Sequence, residues 1–194
     1  MDQEEKRIFI AINMPPESRS ALGSELMQCR EKFRGLPVGW VREDNLHLTL
    51  SFIGDTPNDK ISKINEITAD VAKEFSEFEI KITGCGGFPD KINPKVIWLG
   101  LEDKGILAQI ALRLKTKFEA AGFSQDKRDF NAHLTLARVK GPLSDNEINS
   151  IYHLLGDFPE ISFGAESLEV MEGTMGREGP EYKILESQRL KPKS

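Results

Sequence analysis

The stretch NLHLTLSFIG (45–54) and its near copy NAHLTLARVK (131–140) share His-Leu-Thr-Leu at 47–50 and 133–136, and they use two of the three histidines in 194 residues. Side chains of an extended strand alternate between faces, so His47 and Thr49 fall on one face while Leu46, Leu48 and Leu50 take the other. His133 and Thr135 repeat the arrangement in the second copy. Each tetrapeptide thus sets an imidazole beside a hydroxyl on a platform whose back is held in a core. Two such platforms facing one cleft would make a symmetric acid-base site.

The surroundings of the two copies repeat as well. Residues 7–13 predict a strand, and Pro15-Pro16 break it and open a helix with Leu22, Leu26, Cys29 and Phe33 on one stripe. The first His-Thr strand spans 46–53, followed by a helix facing Ile61, Ile64, Val71 and Phe75 inward and a strand at 77–83. The second half runs in the same order. A strand at 95–101 leads to Asp103, which can cap a helix carrying Leu107, Ile110, Leu114 and Phe118 up to Gly122. The second His-Thr strand spans 131–139, and Ser144 to Glu147 form a capping box for a helix that stops at Gly156. Strands at 160–171 and 181–186 close the chain, joined by a Gly-rich loop at 173–180 that reads as a long hairpin connection or a flap near the cleft.

From the middle of the first strand to the histidine is 38 residues in one half (Phe9 to His47) and 36 in the other (Ile97 to His133). This agreement favours a duplicated unit. The expected fold is α+β: two pseudo-twofold-related lobes, each an antiparallel sheet with helices on its outer face, around a central cleft. No Pro-, Gly- or Ser-rich linker separates the halves, so 1–194 reads as a single bilobal domain, with halves at roughly 1–90 and 91–172 and a C-terminal strand at 181–187.

Charged residues make up 29% and hydrophobic residues 39%, the balance of a globular protein. A net charge of −5 gives no global attraction to nucleic acid, so any such substrate must be gripped locally, by residues such as Arg42, Lys91, Lys127, Arg128 and Lys140. The N-terminus MDQEEKRIFIAIN fits neither a signal nor a transit peptide, and no apolar run approaches the ~20 residues of a membrane helix. Cys29 and Cys85 give neither a disulfide framework nor zinc-ligand spacing and read as buried small hydrophobes. A reducing, cytoplasmic setting and a monomer are the default expectations. Gly84-Cys-Gly-Gly87 reads as a turn, since it lacks the Lys and Ser/Thr of a phosphate loop, and His153 reads as a surface residue.

Paired His-x-Thr motifs about 85 residues apart, together with RIFIAINMPP, DNLHLTLSFIGD, VIWLGL and FNAHLTLAR, resemble the 2H phosphoesterase superfamily, in its RNA 2′,3′-cyclic phosphodiesterase (2′-5′ RNA ligase) branch. The resemblance covers essentially the whole chain. It implies metal-independent opening of 2′,3′-cyclic phosphates at RNA ends or on nucleotides, with no cofactor, O3′ leaving and a 2′-phosphate remaining. His47 would be the general acid and His133 the general base, roles that a side chain of pKa about 6.5 can fill near neutral pH. Run in reverse, the same chemistry implies 2′-5′ RNA ligation without ATP. Thr49 and Thr135 would donate to non-bridging phosphate oxygens. The family places ligand contacts at Phe52, Arg138 and Tyr182. Phe52 and Arg138 stand at an odd offset of five from their histidines, so either each strand bulges first or they miss the ligand. Alternative readings are a non-catalytic nucleotide-binding module using the same cleft, or a hydrolase of another cyclic or 2′-5′ nucleotide.

Overall fold

The computed structural model describes residues 5–125, 128–177 and 179–193. Its first strand, β1 (Glu5–Asn13), buries Ile8 through Ile12 without interruption. A strand buried on both faces loses its hydrophobic alternation, and β1 is central in its sheet. Ile8, Ile10 and Ile12 enter the main core, while Phe9 and Ala11 form a separate small cluster with Met171 on the other face.

Pro16 occupies the first turn of α1 (Pro16–Lys32), where a missing N–H costs nothing, and Leu22, Leu26 and Cys29 turn inward. A short β2 (Val38–Trp40) precedes β3 (His47–Pro57), which carries the first histidine. Then follow α2 (Ile61–Ala72), β4 (Phe78–Phe88), β5 (Val96–Glu102) and α3 (Ile106–Ala120). Before α3, the Asp103 carboxylate accepts the Leu107 amide at 2.9 Å. The second histidine opens β6 (His133–Val139), and α4 (Asp145–Gly156) starts in the expected capping box. The chain ends in β7 (Ser162–Ala165), β8 (Ser167–Gly176) and β9 (Gly179–Arg189).

Two antiparallel sheets result, ordered β3-β1-β8-β9 and β2-β6-β5-β4-β7. Strand β4, from the first half of the chain, pairs in the sheet of β5 and β6, while β8, from the second half, pairs beside β1. The two halves therefore exchange β4 and β8, and the short β2 of the first half also pairs in the second sheet, along β6. Helix α2 lies against β8 and β9, α3 against β3, and α4 against β4. One continuous core joins both sheets, and β3 and β6 approach each other across the boundary between them.

Four local expectations need correction. The segment 160–171 is two strands: β7 pairs with β4 and β8 with β1, so the chain changes sheets at Glu166. The Gly-rich segment 173–180 is largely strand, with β8 running to Gly176 and β9 starting at Gly179. Its glycines make room for side chains: a Cβ on Gly173 would touch the Tyr182 ring, and one on Gly176 would strike Glu181. Gly84-Cys-Gly-Gly87 is likewise part of β4, with Gly84 at a bulge (φ +50) and the Trp98 indole lying across Gly86. Helix α2 stops at Ala72, and Phe75 packs on the core from beyond it. Of the cysteines, Cys29 is fully buried, whereas Cys85 is half-buried with its thiol directed at the Tyr152 carbonyl.

Candidate active site

Strands β3 and β6 carry the same irregularity. On β3, Thr49 pairs with Ala11 and Ser51 with Ile10, leaving Leu50 without a partner on β1. On β6, Thr135 pairs with Trp98 and Ala137 with Ile97, leaving Leu136 without a partner on β5. A bulge of one residue reverses the alternation beyond it. His47, Thr49 and Phe52 accordingly stand opposite Asn13, Ala11 and Phe9, which share one face of β1. His133, Thr135 and Arg138 stand opposite Gly100, Trp98 and Val96 in the same way. The odd offset of five is thus resolved by a bulge, and both +5 residues lie on the face of their histidine. Behind this face Leu46, Leu48, Leu50, Leu134 and Leu136 are all buried in the core.

The two imidazoles are held alike. His47 Nδ1 lies 2.8 Å from the Asn45 carbonyl, and His133 Nδ1 lies 2.7 Å from the Asn131 carbonyl. A carbonyl only accepts, so in each ring Nδ1 carries the proton and Nε2 presents its lone pair. Each of these loops spans two residues, so the backbone carbonyl of Asn45 or Asn131 orients the ring that follows it. The Thr49 hydroxyl lies 3.1 Å from His47 Nε2 and is its donor in this tautomer.

Aromatic rings complete both pockets. Phe9 and Tyr182 pack on His47 with centroids 5.1 and 4.9 Å away, and Phe88 and Trp98 pack on His133 at 4.9 and 6.3 Å. Burial pushes both imidazoles below their usual pKa of 6.5. The backbone hydrogen bonds oppose this, and for His47 the nearby His133 charge adds to the depression. Burial thus favours the neutral form of both rings.

Tyr182, far along the chain, is brought to His47 by the β8–β9 hairpin. Its tip is tied down where Asn45 Nδ2 donates to the Pro180 carbonyl at 2.7 Å. Arg42, Asp44, Asn45, Pro180, Glu181 and Tyr182 line a hollow at that junction. Phe52 is 40% exposed, and Arg138 is exposed. Of the basic residues singled out from the sequence, Arg42 pairs with Asp44 at 3.8 Å, Lys91 lies over the Tyr152 ring, and Lys140 rests against Gly39, the register partner of Arg138. Arg128 is exposed, and Lys127 lies outside the described residues. His153 is exposed on α4, 4.0 Å from Asp157.

Sequence reasoning singled out none of Phe9, Phe88 and Trp98, the rings that pack on the two histidines. The signal for Phe9 was parity: it shares the face of β1 that carries Ala11 and Asn13, the register partners of Thr49 and His47. Among the described residues no three His, Cys, Asp or Glu side chains gather as a metal site requires, and no helix is long and apolar enough to cross a membrane.

The model of the 2′-5′ RNA ligase superfamily matches residues 16–176. An RNA 2′,3′-cyclic phosphodiesterase of Thermotoga maritima is 34% identical over 179 residues, 92% of either chain. Its counterpart in Methanothermobacter thermautotrophicus is 31% identical over 189 residues, 95% of this chain and 98% of its own. Among solved structures, TT0787 of Thermus thermophilus superposes with a TM-score of 0.76 at 25% identity, covering 97% of this chain and 100% of that one. LigT of E. coli in complex with 3′-AMP shares the fold, with a TM-score of 0.75 at 24% identity over 96% of this chain and 99% of its own. Duplicated His-Thr strands, two exchanged sheets and whole-length relatives agree: the chain belongs to the 2′-5′ RNA ligase superfamily of 2H phosphoesterases, in its RNA 2′,3′-cyclic phosphodiesterase branch.

Proposed function

We propose that the protein hydrolyses 2′,3′-cyclic phosphates at RNA ends or on nucleotides to 2′-phosphates, by two-histidine acid-base catalysis that needs no metal. The observation that carries this reading is the doubled tether: two imidazoles, each fixed by Nδ1 to a carbonyl two residues back, so that each turns Nε2 away from the tether, His47 Nε2 toward the Thr49 hydroxyl. In the reaction His133 Nε2 removes a proton from water as it attacks phosphorus. His47, protonated when the anionic substrate enters, gives its proton to the departing O3′. The hydroxyls of Thr49 and Thr135 donate to the non-bridging oxygens as charge grows on them. Arg138 adds a fixed positive charge beside the phosphate, the Phe52 ring takes the base, and Tyr182 holds the acid in place. Each proton transfer is typically worth about 10²–10⁴ in rate, so the pair supplies much of the acceleration.

With a ribose 5′-hydroxyl in place of water, the same groups form a 2′-5′ linkage without ATP, which gives the reverse-ligase activity. Two unpaired cysteines suit a reducing compartment, and the proposal sets the protein in the cytoplasm, acting as a monomer. The test is incubation of purified protein with nucleoside 2′,3′-cyclic phosphates and with RNA bearing a cyclic end, in EDTA. A 2′-phosphate product is expected. A 3′-phosphate would overturn the assignment of the leaving group, loss of activity in EDTA the metal independence, and no turnover of any substrate the whole reading.

A further inference from the structure

The +5 positions of the two motifs differ in kind: Arg138 on one sheet, Phe52 on the other. Yet the Phe52 side has a cation too. The Arg7 guanidinium carbon lies 5.0 Å from the centroid of the Phe52 ring. Arg7 sits on β1 two residues from Phe9 and four from Ala11, so it shares the cleft face and lies outward from Thr49, the register partner of Ala11. Four residues of strand span about 13 Å between Cα atoms, and an arginine side chain recovers roughly half of that by leaning back.

Arg7 is exposed, and among the described residues it makes no ion pair, although Asp55 is its register partner on β3. Its neighbour Lys6, on the opposite face, is held by Glu172 at 3.2 Å. A guanidinium stacked on a ring keeps its in-plane N–H donors free for an anion. In a chain of net charge −5, an uncommitted arginine at the mouth of a phosphate site calls for an explanation.

From this geometry we infer that Arg7 binds the phosphodiester on the 5′ side of the terminal nucleotide, making the preferred substrate an oligonucleotide end over a free cyclic mononucleotide. The inference rests on the phosphodiesterase reading above. A base stacked on the open side of Phe52 leaves the next phosphate outward from the reacting one, on the side where Arg7 stands. Ring and guanidinium together form the combination that grips single strands without reading their sequence. A mononucleotide has no phosphate to place there.

The test compares kcat/KM for a short RNA ending in a 2′,3′-cyclic phosphate with kcat/KM for the corresponding mononucleotide, in wild type, Arg7→Ala and Arg7→Lys. For Arg7→Ala, the RNA value should fall about tenfold to a hundredfold, as for loss of one charge-assisted contact, while the mononucleotide value stays unchanged. Arg7→Lys should restore part of the loss. The dependence of log KM on log salt should lose a slope of about 0.7 for RNA only. An equal loss on both substrates would overturn the inference, because Arg7 would then act only by propping Phe52. An unchanged RNA value would overturn it as well. A wild-type chain that turns over neither substrate would defeat the phosphodiesterase reading itself, and this inference with it.

Discussion

The His47 and His133 sites are built on one backbone plan and dressed differently. Both have a bulge at the Leu after the Thr, and both tie Nδ1 to the carbonyl two residues back. They part in what surrounds the ring. His47 has the Thr49 hydroxyl on its Nε2 and Tyr182 from the β8–β9 hairpin above it; among the described residues the Thr135 hydroxyl has no partner, and His133 is covered by Phe88 and Trp98 from its own sheet. In the proposed mechanism the duplicated platform fixes where two protons move, and the unduplicated side chains decide which way each one goes.

The severest way to break the comparison is to remove one imidazole at a time. His47→Ala and His133→Ala should each lower kcat by about 10²–10⁴, with product affinity largely retained. The double variant should be little worse than either single one, since acid and base act as a unit. Strict additivity of the two losses would mean that the histidines do not share one reaction.

The threonines sharpen the difference between the sites. Thr49→Val and Thr135→Val each remove one of the proposed donors to the developing oxyanion and should each cost about 10²–10³ in kcat. Only Thr49 also donates to its neighbouring histidine, and that bond favours the neutral ring. Thr49→Val should therefore raise the pKa of His47 as read by ring NMR shifts, whereas Thr135→Val should leave His133 in place. Equal shifts at both sites would erase the asymmetry.

A smaller effect separates free enzyme from complex. The proposed mechanism needs one ring protonated and one neutral, and burial pushes both pKa values below 6.5. The kcat/KM profile, which reports the free enzyme, should peak on the acid side of 6.5. The kcat profile should peak higher, because bound phosphate favours the charged imidazole. Tyr182→Ala lets water reach His47 and should move one limb of the kcat/KM profile toward 6.5, leaving the limb of His133 in place. Coincident kcat and kcat/KM profiles would show that the phosphate does not bear on either ring.

Much of this was legible in the chain because it is local. The helix stripe of Leu22, Leu26 and Cys29, the Ser144 capping box and the two His-Thr strands each depend on neighbours within a few residues. What escaped is non-local. Strand alternation looks the same whichever sheet a strand joins, so 160–171 gave no sign that it divides between two sheets or that β4 and β8 are exchanged. The glycines at 84–87 and 173–176 signal backbone freedom in a sequence, and in the fold they mark where Trp98, Tyr182 and Glu181 lie close. The bulges at Leu50 and Leu136 leave no local signature, since a buried Leu suits either parity. Only the need to bring Phe52 and Arg138 to the cleft hints at them.

The smallest expected effect concerns stability, and it follows from keeping two rings dry. Each imidazole has a folded-state pKa depressed below the 6.5 of the unfolded chain, so below that pH the folded state binds fewer protons than the unfolded one. Stability should be fully present above about pH 6.5 and decline below it until each ring is charged in the fold as well. The slope can reach at most about 1.4 kcal/mol per pH unit for each histidine. Urea unfolding at pH 7.5, 6.5, 5.5 and 5.0 measures it. His47→Phe places an uncharged ring among Phe9 and Tyr182 and should flatten the decline by the share due to His47, with His133→Phe removing the rest. The His47 variant should flatten it more, since proximity to the other charge adds to burial at that site. A decline unaltered by either substitution would mean that the rings protonate as freely in the fold as in the open chain, and that the decline itself comes from the carboxylates.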